Sequence, residues 1–382
     1  MISDRILGVE GSKSVGLASV LMKLRKEGRD IIALNVGEPD LPTPDVVKEA
    51  TAKAMRDNHT RYSLVEGIPE LREKIAERFQ KQTGRSISPS QVLVSNGSKQ
   101  TLYNIFQAML NAGDEVIIPR PYWVSFPEAV KLAGGVPVFI DALDLQLPVD
   151  AIEAAITRKT KLIVVNSPNN PSGVVYKKSD MKKLAALAVK HDLHIVSDEA
   201  YEALIYDEAE KFSFAEMDDE VFKRTIHVQS FSKTFMMTGF RIGFMIADQP
   251  LVSAINKLQS HLTGNNCTFA QYGAVAALEH EASIVPPMVE LMRSRRDLCL
   301  ELSKGLFEVE TPGGAFYLFP KVTNYFERFK DSAEMATFLL EKTGVAGLGG
   351  SAFGMEGHLR FAFTASETDL REAFRRMREV LL

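Results

Sequence analysis

Cysteine is nearly absent from this sequence of 382 residues, which holds only Cys267 and Cys299. A disulfide framework is thereby excluded, and a reducing compartment is expected. Long apolar runs are missing too: no stretch reaches the roughly 18 uninterrupted apolar residues of a membrane-spanning helix. No membrane partner is expected. The first residues, MISDRILGVEGSKS, lack the apolar core of a signal peptide, and a cytoplasmic location is expected. Neither sign of charge is in excess, since 45 basic against 49 acidic residues leave a formal net charge of −4. That balance gives no electrostatic footprint for nucleic acid. No G-x-x-x-x-G-K-[ST] phosphate loop and no H-E-x-x-H zinc pair occurs. Gly347-Leu348-Gly349-Gly350-Ser351-Ala352 fits G-x-G-x-x-A, but no clear helix follows, so a dinucleotide reading lacks its context. His191 and His194 straddle a helix end and a strand start and read as structural, so no metal site is expected.

What is present is an ordinary globular composition, with 45% hydrophobic and 25% charged residues. The length suits two domains or one enzyme-sized unit and buries ample core. Short runs rich in β-branched residues predict strands at Val92–Ser95, Glu115–Pro119, Val136–Ile140, Lys161–Asn166, Leu193–Ser197, Thr225–Gln229 and Arg241–Ala247. Helical spacing lies between many of them. Leu71, Ile75 and Phe79 recur every fourth residue, between Pro69 near a helix start and Gly84 past its end. Thr43-Pro44-Asp45 reads as N-cap, first helical residue and acidic first turn of a helix to about Met55, and Ser179-Asp180 opens another toward Lys190. This alternation predicts an α/β fold with a mainly parallel sheet and helices on both faces. The last third reads as a smaller α+β region. It holds a helix from Pro287 to Lys304, a strand at Ala315–Phe319, a helix from Ser332 to Lys342, a strand at His358–Thr364 and a helix from Ser366. A large domain over residues 43–283 is expected, with a small discontinuous domain from residues 1–42 and 284–382.

Five motifs follow predicted strands, where open α/β sheets place their sites. Ser230-Phe231-Ser232-Lys233-Thr234 sets a lysine between hydroxyls, and Arg241 follows eight residues on. A desolvated lysine there can form a Schiff base with an aldehyde cofactor, and the arginine can clamp a phosphate. Taken alone, S-x-S-K is more often a surface lysine in a serine-rich loop. Ser197-Asp198-Glu199-Ala200-Tyr201 offers a carboxylate that can keep a pyridine nitrogen protonated, with a phenol one helical turn away. An aspartate N-cap beside a buried tyrosine is the plainer reading. Ser167-Pro168-Asn169-Asn170-Pro171-Ser172-Gly173 holds Asn170 in a rigid turn, or is simply a strand-to-helix turn. Asn96-Gly97-Ser98-Lys99 leaves N–H groups free for an anion at a helix start, or is a plain cap. Trp123, the only tryptophan, can stack on an aromatic cofactor or fill the core.

The order Asn170, Asp198, Lys233 and Arg241, with Arg360 far downstream, resembles the class I pyridoxal-phosphate aminotransferases. Matching blocks span nearly the whole chain: Asn35-Val36-Gly37-Glu38-Pro39-Asp40, Tyr62, Gly67 to Arg72, Gly97 to Gln100, Pro121-Tyr122-Trp123, Pro312 to Tyr317 and Ser351 to Gly354. The likeness is nearest to the prokaryotic aspartate branch, some members of which also accept prephenate. It implies a large domain with a seven-stranded, mostly parallel sheet, a small domain, and a homodimer with shared active sites. It also implies pyridoxal 5'-phosphate as cofactor and a two-stage exchange between amino acid and 2-oxo acid. Lys233 would carry the Schiff base and move the proton, Asp198 would pair with the ring nitrogen, and Tyr201 and Asn170 would bond the ring oxygen. Trp123 would lie on the ring face. Gly97, Ser98, Lys99, Ser230, Ser232 and Arg241 would surround the phosphate, with Tyr62 reaching in from the second subunit. Arg360 would bind the substrate α-carboxylate, the Gly37 backbone would close over it, and Lys99 would meet a distal carboxylate.

Three positions depart from the pattern: Ser172 where the family often has Thr, Cys267 where many members have Pro, and Ser14 where the aspartate branch often has Thr. They bear on the choice among aspartate, glutamate, alanine, aromatic amino acids and prephenate. A lyase using the same cofactor, or a catalytically silent binding relative, are the alternatives in other classes. Intact Lys233, Asp198, Arg241 and Arg360 argue against the silent relative.

Overall fold

The computed structural model describes residues 2–11, 13–142, 144–207 and 209–382, the side chains of residues 13–15 excepted. Ser12 and the Ser14 side chain therefore lie outside the described residues. Seven strands form one sheet: β1 (Val92–Ser95), β2 (Glu115–Arg120), β3 (Val136–Asp141), β4 (Thr160–Asn166), β5 (His194–Asp198), β6 (Thr225–Ser230) and β7 (Gly243–Ile246). Their spatial order is β1-β7-β6-β5-β4-β2-β3. All neighbours run parallel except β7, which is antiparallel to β1 and β6. The fold is α/β with a mostly parallel seven-stranded sheet, as the alternation of runs predicts.

Both faces of the sheet are covered, and this is why its strands are almost uninterrupted apolar runs. Leu162, Val164 and Val196 pack on the helices Ser98–Met109 and Ser125–Leu132. Their alternates Ile163, Val165 and Ile195 pack on the helix Lys178–Lys190. Only the edge strand β3 is partly exposed along its whole length.

Towards the C-terminus Leu348–Gly349, Leu359–Ala362 and Tyr317–Leu318 form a small antiparallel sheet. Ile32–Ala33 from the N-terminal segment pairs in parallel with Val345–Ala346. Leu21 and Ile31 pack on Leu340 and Ala346, so the chain's two ends share apolar contacts. A larger cluster joins Met292, Tyr317, Phe361 and Phe374 to Tyr201 and Leu204, which follow β5. No helix among the described residues is long and apolar enough to cross a membrane.

Several boundaries differ from expectation. Thr43 does not cap the helix Asp45–Arg56: Pro44 holds the cap position, and the Thr43 hydroxyl donates to the Met236 carbonyl at 2.5 Å. The long helix starts at Glu281, not Pro287, and both prolines lie inside it. Its first turn is held by Ser283 and Ile284 N–H groups donating to the His280 carbonyl, so it forms ahead of the prolines. Strand β7 begins at Gly243, and Arg241 lies outside it with φ 56°. The strands expected at Ala315–Phe319 and His358–Thr364 shrink to Tyr317–Leu318 and Leu359–Ala362.

The single antiparallel strand has a consequence at the carboxyl edge of the sheet. Gly243, the first residue of β7, is in register with Ser95 and with Ser230, the last residues of β1 and β6. A Cβ at Gly243 would strike the Ser98 nitrogen and lie 2.6 Å from the Gly97 carbonyl carbon. Gly243→Ala should therefore cost about 1–3 kcal/mol by overpacking. A urea midpoint equal to wild type would show that the Gly97–Ser98 turn yields freely.

Candidate active site

Five strands that run the same way end at one edge, and each delivers a side chain at or just beyond its last residue. Ser98 follows β1, Trp123 follows β2, Asn170 follows β4, Asp198 closes β5 and Lys233 follows β6. They line one cavity of about 330 Å³, joined by Gly37, Tyr201 and Arg360. Eight of the residues expected from the sequence thus meet in one space. Asn35, Asn166 and Tyr317 line the same cavity and were not among them. Asn35 and Tyr317 stood inside matched blocks, and Asn166 ends a predicted strand next to the Asn170 turn. What marks them is contact, which spacing does not carry.

Gly97, Lys99, Ser230, Ser232, Arg241 and Tyr62 do not line this cavity. Lys99 and Arg241 line a neighbouring one of about 410 Å³ that shares Trp123. Lys99 Nζ lies 5.1 Å from the Trp123 ring centre. Arg241 donates to the Thr238 carbonyl at 2.9 Å, and a Cβ at Gly97 would lie 2.6 Å from its guanidinium. Ser230 and Ser232 are buried, and the Ser230 hydroxyl accepts from the Ser232 N–H at 3.1 Å. Tyr62 is 98% exposed. Of the positions that depart from the family pattern, Ser172 donates to Asn169 Oδ1 at 2.8 Å, and Cys267 is exposed ahead of the helix Thr268–Glu279.

Three charged side chains, Asp198, Lys233 and Arg360, line the cavity. Lys233 Nζ donates to the Gly37 carbonyl at 2.6 Å. Burial lowers its ammonium from 10.5 to about 8, against the pull of Glu38 and helped by Arg241, Arg360 and Lys99. Burial pushes the Asp198 carboxyl from 3.8 up to about 7, against the Ala200 N–H and with the charge of Glu199. Burial likewise lowers the Lys99 ammonium, with Arg241 adding to the fall. Tyr201 and Tyr317 share a hydroxyl contact of 2.8 Å, and burial holds both phenols above their ordinary value. Arg360 is buried between the Tyr317 and Phe353 rings, at 4.6 and 4.7 Å. It donates to Asn170 Oδ1 at 2.9 Å and to the Asn35 carbonyl at 2.7 Å. Its Nε has no partner, and no carboxylate pairs with it among the described residues.

One Asn sets the spacing of two of these groups. Asn166 donates to the Asp198 carbonyl at 3.0 Å and accepts from the Asn170 N–H at 2.9 Å. A nucleophilic amine, an isolated carboxyl and an unpaired guanidinium in one cleft suit chemistry on an amine-bearing carboxylate.

Comparison with known proteins agrees with this geometry. The family described as "Aminotransferase class I and II" matches residues 29–377. A probable aspartate/prephenate aminotransferase of Aquifex aeolicus is 41% identical, covering 100% of this chain and 98% of the relative. The aspartate aminotransferase of Bacillus subtilis is 37% identical over 99% of this chain and 98% of its own. The structure of Thermus thermophilus aspartate aminotransferase with maleate is 40% identical, with a TM-score of 0.95 and 100% of both chains covered. The chain belongs to the class I and II aminotransferase family. Within that family it is a pyridoxal-phosphate-dependent enzyme of the prokaryotic aspartate-aminotransferase type.

The position of Asp198 opposes stability in the cofactor-free protein. Its folded value lies above the ordinary 3.8, so folded protein holds more protons than unfolded chain between 3.8 and about 7. Stability is therefore lost as pH rises through that window. Asp198→Asn removes this term. The cofactor-free variant should gain thermal stability over wild type at pH 8 and little at pH 4. Parallel melting curves at both pH values would contradict the burial of this carboxyl.

Proposed function

We propose that the enzyme exchanges the amino group of aspartate or glutamate with a 2-oxo acid, prephenate among the acceptors. The observation that carries this reading is Arg360: a buried guanidinium without a carboxylate partner, in the same cavity as Lys233 and Asp198. A planar fork of this kind suits the α-carboxylate of an amino acid. The relatives' names add aspartate and prephenate, both dicarboxylates.

Pyridoxal phosphate, when bound, supplies a carbonyl that condenses with amines and a ring that takes up electrons. The residues here fit such a group. Lys233 would hold its carbonyl carbon, Asp198 its ring nitrogen, and Tyr201 and Asn170 its ring oxygen, with Trp123 on the face. The bare Gly97, the N–H groups opening the helix Ser98–Met109 and the Arg241 guanidinium make a cradle that a Cβ at Gly97 would fill. Ser98, Ser230, Ser232 and Lys99 add donors around it. Lys233 is the base that takes the proton from the substrate Cα and returns it on the other side of the exchange. Its value of about 8 leaves roughly a tenth of the amine neutral at pH 7, far more than an ordinary lysine has. Asp198, whose ionised form is costly when alone, gains most when a cationic ring nitrogen meets it. The Gly37 backbone packs on the Tyr317 phenol, where a Cβ would lie 3.0 Å from Cζ, and closes over the substrate.

The assembly reading is a cytoplasmic homodimer, in which Tyr62 of each protomer reaches the other's phosphate cradle. Its near-complete exposure in a single chain and two free cysteines support this. The domain reading divides the chain into a cofactor-binding domain of residues 43–283 and a small domain of residues 1–42 and 284–382. The pairing of Ile32–Ala33 with Val345–Ala346 supports a discontinuous small domain.

Borohydride reduction of the yellow protein should fix the cofactor on Lys233, and Lys233→Ala should bind it without a reducible linkage and lose nearly all turnover. A reduced adduct mapped by mass spectrometry to another lysine would refute the assignment.

Lys99 is proposed to receive the distal carboxylate. It has no ion-pair partner among the described residues and stands against Trp123, which lines both cavities. A charge-assisted contact is worth roughly 1.5–3 kcal/mol, or about 10–150-fold in kcat/KM. Lys99→Ala should lower kcat/KM for aspartate and glutamate by about that factor and leave alanine and phenylalanine nearly unchanged. Equal losses for all four donors would assign Lys99 to the cofactor alone.

A further inference from the structure

Directly beneath Asp198, on the opposite face of the sheet, lies a buried polar cluster that the proposed chemistry does not use. Asp198 closes β5 and lines the cavity. Glu199 continues the ladder for one more residue, its N–H donating to the Val228 carbonyl at 2.8 Å. Successive side chains in extended backbone point to opposite faces. Glu199 therefore turns away from the cavity with Ser197, which is in register with His227.

The Glu199 carboxylate receives Ser197 Oγ at 2.9 Å, Ser213 Oγ at 3.3 Å, His227 Nδ1 at 2.8 Å and Gln229 Nε2 at 2.9 Å. His227 is wholly buried, between Phe79 at 5.3 Å and Phe222 at 5.9 Å between ring centres. Its Nε2 has no partner among the described residues. A doubly protonated ring would bury an N–H with no acceptor, whereas the neutral ring donates through Nδ1 and leaves only a lone pair unmatched. A buried cation, Arg78, borders the cluster and donates to Gln229 Oε1 at 3.0 Å. It is already opposed by Glu202 at 2.8 Å and Glu281 at 2.7 Å. Lys211 borders the same small space but is exposed. Four donors thus stabilise a buried negative charge that no cation of its own offsets.

We infer that Glu199 is a positioning residue for the ring-nitrogen contact, a fixed buried charge that holds the proton shared by Asp198 and the ring to higher pH. The inference rests on the reading of Asp198 as the ring-nitrogen partner. On the cavity side Asp198 shares its space with Lys233, Arg360, Tyr201 and Tyr317. The charge that acts on Asp198 from below is Glu199, and it opposes the ionised form.

The test titrates side-chain carboxyls labelled with carbon-13 in the cofactor-free protein, with Asp198 assigned by its loss in Asp198→Asn. Wild-type Glu199 should be ionised at pH 7, and Glu199→Gln should lower the Asp198 midpoint by about one pH unit. Glu199→Asp, which keeps the charge, should retain most of the elevation. Pyridoxal phosphate binding, read by quenching of the only tryptophan, Trp123, should lose affinity at a lower pH in Glu199→Gln than in wild type. A protonated Glu199 in wild type at pH 7 overturns the inference without any variant, so misfolding of Glu199→Gln cannot protect it. An unmoved Asp198 midpoint in folded Glu199→Gln overturns it as well. Unchanged cofactor affinity and pH profile in Asp198→Ala would instead remove Asp198 from the ring nitrogen, which is the failure of the underlying reading.

Discussion

Lys233, Asp198 and Arg360 share a cavity from which much of the water is excluded, and the cost of that exclusion organises the rest of the molecule. Each group alone is destabilised in its charged form there. The lysine moves toward a neutral amine and the aspartate toward a neutral acid. The arginine, which cannot give up its proton, is steadied by two neutral acceptors and two aromatic faces. All three gain when an aldehyde and a basic ring nitrogen from the cofactor and a carboxylate from the substrate fill the space. The protein is thus poised for its ligands by charges that it holds at a loss.

Only a sheet of this topology brings the three together. Parallel strands align their carboxyl ends, so loops after β1, β2, β4, β5 and β6 open on the same edge. Strand β7 enters from that edge because it runs the other way, and the segment that feeds it carries Arg241 in a left-handed conformation beside Gly97. Arg360 comes from a different sheet altogether, on Leu359–Ala362. The apolar cluster that joins Phe361 and Tyr317 to Tyr201 and Leu204 fixes where the two regions meet.

The underside of the sheet has its own constraint. Placing Asp198 in the cavity obliges its neighbours to face the other way, and there the chain holds Glu199, His227, Gln229 and Arg78 in a connected network. A buried polar network is costly unless its members are satisfied. Here the donors outnumber the cations, and the result is a charge close to the reacting groups but out of contact with them.

Much of this was legible in the sequence for local reasons. Runs such as Lys161–Asn166 and Thr225–Gln229 declare strands because they are short and rich in β-branched residues. Lys233, Asp198 and Asn170 stood out because each directly follows or ends such a run. Boundaries decided by distant partners were not legible. Thr43 spends its hydroxyl on Met236 instead of its own helix, and the helix from Glu281 tolerates two prolines inside it. Tyr317 meets Asn170 across 147 residues of chain, Asn35 meets Arg360 across 325 and Asn166 meets Asp198 across 32, separations that no short window contains. Lys99 and Trp123 were both named, but their face-to-face placement and the separation of Lys99 from the main cavity are matters of packing. By itself the sequence determined the elements, their alternation and the chemical groups at the strand ends, because these follow from periodicity and residue type. The tertiary structure decided which groups lose their water, which charges face each other and which of them stay unpaired, because desolvation and Coulomb energy depend on distances that only the folded chain sets.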